Sequence, residues 1–199
     1  MTENSRKFDI SVGFVLLLAV LYLLDSGKLL FPALAAALLH EAGHIIAIKL
    51  CGGVVEGVRM RVFGARVIVS AYPILSYKSE IICAAAGPFA GLFAAYASSL
   101  TAGWLGLDGL YTFSGLNLVL SAVNLLPIYP LDGGRILYNL MLMLLDFELA
   151  HRVASVVSVV FCALMMLMCA VVIKYTGFRL TLVIFTAFIL IKTGEVSVS

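Results

Sequence analysis

The chain has 199 residues, of which 63% are apolar and 12% charged, with a mean hydropathy of +1.12 and a formal net charge of +2. An ordinary globular domain is about half apolar and a quarter charged, so this composition excludes a cytosolic enzyme or modular receptor and indicates one membrane domain over 1–199. The small net charge, with no run of like charges and no interleaving of basic and aromatic residues, excludes nucleic acid as a partner.

At about 20 residues per crossing, the apolar stretches predict six spans: 8–24, 29–51, 81–104, 110–145 with a break at 124–134, 153–173 and 180–191. The first follows Arg6 and Lys7 as a signal peptide would, but Asp25-Ser26-Gly27-Lys28 is no small-residue cleavage site, so a retained span is expected. Between the second and third spans the period changes. Val58, Met60 and Val62 alternate with Arg59 and Arg61, and Phe63-Gly64 then precedes Val67-Ile68-Val69. This period of two predicts a β-hairpin within 54–70. Lipid cannot satisfy an open sheet edge, so the hairpin is expected at the interface or against protein. The predicted fold class is therefore an all-α polytopic membrane protein of about six transmembrane helices with a small membrane-associated β-hairpin.

Basic residues favour the cytoplasmic side. With the N-terminus inside, Arg6, Lys7, Lys49, Arg59, Arg61, Arg66, Lys78, Arg135, Arg152 and Lys192 are cytoplasmic, and only Lys28, Lys174 and Arg179 are outside. Both termini are thus expected in the cytoplasm. Cys51, Cys83, Cys162 and Cys169 all lie in or beside apolar segments with no metal-binding spacing, and are read as membrane-buried thiols.

A charge at the centre of a membrane helix costs about 2.5 to 3.5 kcal/mol on insertion scales. Most acidic residues avoid that cost by sitting at segment ends. Glu41, within the second span, and Asp132, in the break of the fourth, do not, and His40 and His44 flank Glu41. His40-Glu41-Ala42-Gly43-His44 is an HExxH motif in an apolar helical run. Residues at i and i+4 share one helix face, so the two imidazoles can grip one tetrahedral Zn²⁺. Glu41 beside the metal can then take a proton from activated water and pass it to a leaving amine. Three costly polar groups on adjacent turns would lack partners in a purely structural helix.

Catalytic zinc usually has three protein ligands and an open position. Asp132 is the best candidate for the third, because it lies in Asn124-Leu125-Leu126-Pro127-Ile128-Tyr129-Pro130-Leu131-Asp132-Gly133-Gly134-Arg135, where two prolines and two glycines interrupt an apolar run. Non-helical backbone at membrane depth is tolerated only when buried in protein or lining a wet cavity. His151, in the charged connection 146–152, is read as a solvated loop histidine. Gly87-Pro88 is expected to kink or loosen the third span.

At these residues the chain resembles the site-2 protease family of intramembrane zinc metalloproteases. HExxH on an early span and a downstream pattern matched by Asn124, Pro130, Asp132 and Gly133 carry the resemblance, with the intervening spacing, the strand-like insert and Gly87-Pro88 also fitting. The resemblance implies that His40, His44 and Asp132 bind zinc and that Glu41 is the general base. It further implies that Asn124 lies near the substrate or orients the site, with Pro130 and Gly133 in the same motif. It is nearest to the small six-span bacterial branch, which includes proteases releasing sporulation transcription factors from membrane-tethered precursors. The expected partners are a membrane-spanning or membrane-tethered substrate, the bilayer and a regulatory membrane protein. The expected location is the bacterial cytoplasmic membrane, and control by a nucleotide-sensing domain in cis is not expected. Two other classes of function use the same residues: a metal-ion or proton transporter with a midplane site at a broken helix, and a catalytically silent homologue that binds membrane proteins.

Overall fold

The computed structural model describes residues 8–10, 29–61, 64–69 and 75–176. The predicted span at 180–191 and most of that at 8–24 lie outside the described residues. Within them the chain is mostly helical: α1 is Leu30–Leu50, α2 is Tyr77–Leu105, α3 is Asp108–Asn124, α4 is Asp132–Leu144 and α5 is Phe147–Thr176. Three stretches, Leu30–Leu50, Tyr77–Leu105 and Phe147–Met168, are long and apolar enough to cross a membrane. Their outward faces carry large apolar side chains, including Phe89, Phe93, Tyr96, Leu100 and Trp104 along α2. In water such a surface would aggregate; in lipid it is the solvated face.

The chain forms two compact units, residues 1–122 and 123–199. In the first, α1 and α2 bury small residues against each other. Ala36, His40, His44, Ala47 and Ile48 form the buried stripe of α1, and Cys83, Ala84, Gly87, Pro88, Gly91, Ala95, Ser98 and Ala102 that of α2. Apart from the adjacent pairs Ala47-Ile48, Cys83-Ala84 and Gly87-Pro88, both stripes step by three or four residues, the repeat of one helix face. At one close approach of the two helix backbones a Cβ on Gly43 would stand 2.7 Å from the Ala86 carbonyl oxygen and 2.9 Å from the Ala90 Cβ. Without a side chain there, the helix backbones approach as small residues allow in membranes. Ser76 caps α2 by accepting the Ser79 N–H, and Gly106 ends it in the left-handed conformation with φ 66°. The helix runs through Pro88, which supplies no N–H to the preceding turn. The Ser114 hydroxyl ties α3 to α2 by donating to the Ala95 carbonyl at 2.7 Å.

The same unit holds a three-stranded sheet in the order β1–β2–β3, with β1 Phe8–Ile10, β2 Val55–Arg61 and β3 Gly64–Val69. β2 and β3 pair antiparallel from Val55 opposite Val69 to Arg61 opposite Gly64, with an irregularity between Val55 and Gly57. β1 pairs parallel to β2, with Phe8 opposite Val58 and Ile10 opposite Met60. This corrects the start of the predicted first span. Phe8-Asp9-Ile10 is extended because pairing with β2 satisfies its backbone and because a third strand stabilises a sheet that is marginal with two.

In the second unit the interruption is shorter than predicted. Residues 125–131 are non-helical, whereas Asp132, Gly133 and Gly134 form the buried first turn of α4. An acidic residue is favourable there, beside the positive end of the helix dipole. α5 begins at Phe147, so His151 is an exposed helical residue with its ring 6.3 Å from that of Tyr138, not a loop residue. Hydropathy marks where lipid begins, and the polar first turns of α5 fall short of it. Ile128 and Cys162 form a small core with Leu126, Leu131, Phe161 and Met165.

The Gly43 contact yields a stability prediction. Gly43→Ala should destabilise the protein by about 1 to 3 kcal/mol, the usual cost of overpacking, whereas Gly109→Ala, whose Cβ would meet nothing within 4 Å, should be neutral. Thermal unfolding in detergent compares the two, and equal midpoints would mean that α1 and α2 can separate at no cost.

Candidate metal centre

HExxH places His40 and His44 one turn apart on the buried stripe of α1, and the side chains meet. Their Nε2 atoms are 3.2 Å apart and their ring planes lie at 84°. The His44 Nδ1 is 2.7 Å from the Cys83 carbonyl oxygen on α2. A carbonyl can only accept, so Nδ1 carries the proton and, in the neutral ring, Nε2 presents its lone pair to the space shared with His40. This is the outer hydrogen bond by which metal-binding histidines fix their tautomer and orientation.

The spacing permits a test of fit. Two nitrogens each about 2.0 to 2.1 Å from a tetrahedral zinc stand about 3.3 Å apart, against 3.2 Å between the two Nε2 atoms. Both rings are buried. The donors therefore suit a small divalent ion with nitrogen ligands. Glu41, next in sequence to His40 and only partly buried, is turned about 100° around the helix from it. It sits beside the pair without replacing either imidazole on the shared face.

The approach of α2 to this pair depends on Gly87. A Cβ there would overlap the His44 ring, meeting its Nε2, Cε1 and Cδ2. Pro88 donates no N–H to the Ala84 carbonyl, which loosens the turn containing Cys83. The sequence signalled Gly87-Pro88 as a place of helix distortion. It did not signal that Gly87 makes room for an imidazole or that Cys83 offers its backbone rather than its thiol.

In the second unit, Asp132 is buried at the start of α4, and its Oδ1 is 4.0 Å from Arg135 one turn later. Burial of a carboxylate is costly unless it is paired or binds a metal. The loop before it is held in a fixed shape. Ser158 on α5 accepts the Tyr129 N–H at 3.1 Å and donates to its own helix at the Ala154 carbonyl, 2.8 Å away. The Tyr129–Pro130 peptide is cis. A Cβ on Gly133 would overlap the backbone of Leu125 and Leu126, and one on Gly134 would overlap Ile128 and Tyr129. The two glycines thus let the loop lie directly on the first turn of α4. Asn124 is the last residue of α3, and Pro130 lies partly buried in the loop.

The comparisons point in one direction. The model of Peptidase family M50 matches residues 102–168, a stretch containing Asn124, Pro130, Asp132 and Gly133. Stage IV sporulation protein FB of Bacillus subtilis is 32% identical over 157 residues, covering 76% of this chain and 54% of that protein. A zinc metalloprotease of Methanocaldococcus jannaschii is 31% identical over 107 residues, covering 51% of this chain and 31% of that protein. The chain thus spans about half the length of the first of these relatives and less of the second. Among solved structures, a site-2 protease from Methanocaldococcus jannaschii superposes with a TM-score of 0.70 over 96% of this chain and 91% of that one. At 22% identity this is a likeness of fold.

If Gly87 makes room for His44, Gly87→Ala should push the imidazole off its Cys83 partner. Metal affinity should then fall about 10- to 100-fold, as when outer partners of metal ligands are lost. Metal analysis of the purified, still-folded variant after dialysis against a graded chelator reads this. Retention equal to that of the parent chain would show that the ring position does not depend on Gly87.

Proposed function

We propose that this chain, whose residues 102–168 match the model of Peptidase family M50, is an intramembrane peptidase of that family and hydrolyses peptide bonds of membrane-embedded or membrane-tethered proteins at a zinc centre, as its similarity to a zinc metalloprotease supports. The observation that carries the reading is the pair of buried Nε2 atoms 3.2 Å apart, with the His44 tautomer set by Cys83. His40, His44 and Asp132 are the proposed ligands. The burial of the Asp132 carboxylate at a helix start, in a loop whose glycines and Ser158 contact fix its backbone, supports its inclusion.

Zinc held by these three residues would polarise a peptide carbonyl and lower the pKa of water toward neutrality. Glu41 supplies the base. It accepts a proton from the attacking water and returns it to the leaving amine nitrogen, so a single carboxylate serves both halves of the hydrolysis. Asn124, the last residue of α3, is proposed to lie near the substrate or to orient the site, and Pro130 and Gly133 are proposed to shape the segment that carries Asp132. The substrate is proposed to be a membrane-embedded or membrane-tethered precursor, including one that holds a transcription factor, and the Bacillus subtilis relative, by its name a sporulation protein, is compatible with that reading. The distribution of basic residues supports six spans with both termini in the cytoplasm, and the similarity to a Bacillus subtilis protein supports a bacterial cytoplasmic membrane location.

A helical substrate has its amides hydrogen-bonded and must be unwound before the carbonyl is accessible. Strand addition to the sheet would hold it extended. Because β1 occupies one side of β2 and β3 the other, the outer edge of β3 is the proposed docking strand. Arg59, Arg61 and Arg66 are proposed to contact anionic headgroups, and a regulatory membrane protein would act by controlling access.

Glu41→Gln should retain zinc and lose cleavage by at least about 10²-fold, the lower range for general acid–base catalysis, while Asp132→Ala should lose both. Membrane proteomics of the Glu41→Gln strain should show an accumulated precursor. Cleavage surviving in Glu41→Gln would exclude Glu41 as the base. Proline scanned over residues 65–68 should reduce cleavage with zinc content unchanged, and full activity throughout that scan would discard the docking strand.

A further inference from the structure

One backbone donor of the loop that leads into Asp132 is satisfied from outside the loop. A buried N–H must find an acceptor, and from Leu126 to Leu131 each donor can be followed to its partner. The amides of Leu126, Ile128 and Leu131 bond the carbonyls of Val123, Leu126 and Ile128 at 3.1, 2.7 and 2.7 Å, and positions 127 and 130 are prolines with no amide proton. The remaining donor, the Tyr129 N–H, leaves the loop and is accepted by the Ser158 hydroxyl on α5 at 3.1 Å. The same nitrogen is crowded from α4, where a Cβ on Gly134 would overlap it. The Tyr129 peptide is thus hydrogen-bonded to α5 and packed against α4, three residues before the carboxylate.

The contrast with Ser98 is informative. Ser98, also buried in an apolar helix, returns its hydroxyl proton to its own helix at the Ala94 carbonyl, 2.6 Å away, the usual arrangement for such a serine. Ser158 makes the same bond, to Ala154 at 2.8 Å, with the Pro127 carbonyl 3.4 Å from its oxygen. With its proton directed to Ala154, the hydroxyl is an acceptor of fixed direction for Tyr129. Ser158 is 2% exposed, so solvent does not take its place. One turn along α5, Cys162 packs on Ile128 of the same loop. Apolar packing is non-directional, whereas a hydrogen bond weakens steeply when it is misaligned. The packing holds the loop on α5; the hydroxyl sets its rotation.

We propose that Ser158 is a positioning residue for the metal centre: without being a ligand, it fixes the Tyr129 amide and thereby the direction in which Asp132 presents its carboxylate. The connection is short and stiff. The Leu131 N–H closes onto the Ile128 carbonyl and the Arg135 N–H onto the Leu131 carbonyl at 3.0 Å, so the segment from Ile128 into the first turn of α4 turns as one piece. That turn cannot absorb a shift of the loop, because Gly133 and Gly134 lie directly on the backbone of Leu125 to Tyr129. A carboxylate oxygen must meet zinc at about 2.0 to 2.2 Å, and groups that orient a ligand from behind change affinity about 10- to 100-fold. The proposal rests on the reading of Asp132 as a zinc ligand.

Two measurements on the purified full chain, neither using cleavage, test this role: zinc affinity by chelator competition, and the visible absorption of the cobalt(II)-loaded chain, whose bands report ligand number and geometry. Ser158→Ala should bind zinc about 10-fold more weakly, the lower range for loss of an orienting partner, and its cobalt bands should change. Ser158→Thr, which keeps the hydroxyl, should match the parent chain in both. Cys162→Ala loosens the packing of the same loop but keeps the hydrogen bond, so its affinity should stay at the parent value. Parent-like affinity and bands in Ser158→Ala, an equal loss in Cys162→Ala, or a Ser158→Thr as weak as Ser158→Ala each overturn the proposal. If Ser158→Ala does not fold, Ser158→Cys decides: its thiol is only a weak acceptor, so affinity should still fall, and parent affinity overturns the proposal. Zinc retained at parent affinity in Asp132→Ala would instead overturn the ligand assignment, whereas affinity lost in Asp132→Ala and unchanged in Ser158→Ala overturns the role of Ser158 alone.

Discussion

The structure of the first unit depends on the close approach of α1 and α2 at positions where neither helix has a side chain to spare. Gly43 brings the α1 backbone against Ala86 and Ala90, and Gly87 leaves room for the His44 ring. Between them the imidazole is trapped with its Nδ1 on the Cys83 carbonyl. The two helices thus do more than bury apolar surface, which gains little in lipid. Their contact fixes the direction of a lone pair. A flexible histidine would lose rotamer entropy on binding an ion; here that loss is incurred on folding, so the ligand is oriented beforehand.

A similar economy governs the second unit. A segment without helical hydrogen bonds is costly in a membrane unless protein satisfies its backbone. Residues 125–131 meet that condition through internal turns, such as the Leu131 N–H to the Ile128 carbonyl at 2.7 Å, and through Ser158 on α5. Gly133 and Gly134 allow the loop to lie on the first turn of α4. The result is a buried acid at the positive end of a helix, with Arg135 one turn away. Each unit therefore presents its proposed ligands on backbone held in place by glycine and by a side-chain-to-backbone hydrogen bond.

The sequence reveals the mostly helical membrane character because long apolar runs have few alternatives in a bilayer. It also reveals that His40 and His44 share a face, since a four-residue spacing and the helical period leave no other arrangement. The other features depend on information that is not local. The partner of His44 is a backbone carbonyl, which every residue possesses, so Cys83 carries no mark in the sequence. Phe8-Asp9-Ile10 reads as the start of an apolar span because hydropathy ignores a strand partner some fifty residues away. Asp132 to Gly134 read as loop because two glycines weaken helix propensity, yet the close approach of Leu125 to Tyr129 requires them in the first helical turn. Ser158 looks like one more small residue in an apolar helix until its hydroxyl is seen to accept the Tyr129 amide, 29 residues away.

The central proposal is that two imidazoles from α1 and a carboxylate serve as the ligands of a zinc ion. X-ray absorption spectroscopy at the zinc edge of the zinc-loaded chain tests it most directly. The account predicts only nitrogen and oxygen scatterers, at about 2.0 to 2.2 Å, with the multiple-scattering signature of two imidazoles. A sulfur shell at about 2.3 Å, or the signature of fewer than two imidazoles, would contradict it.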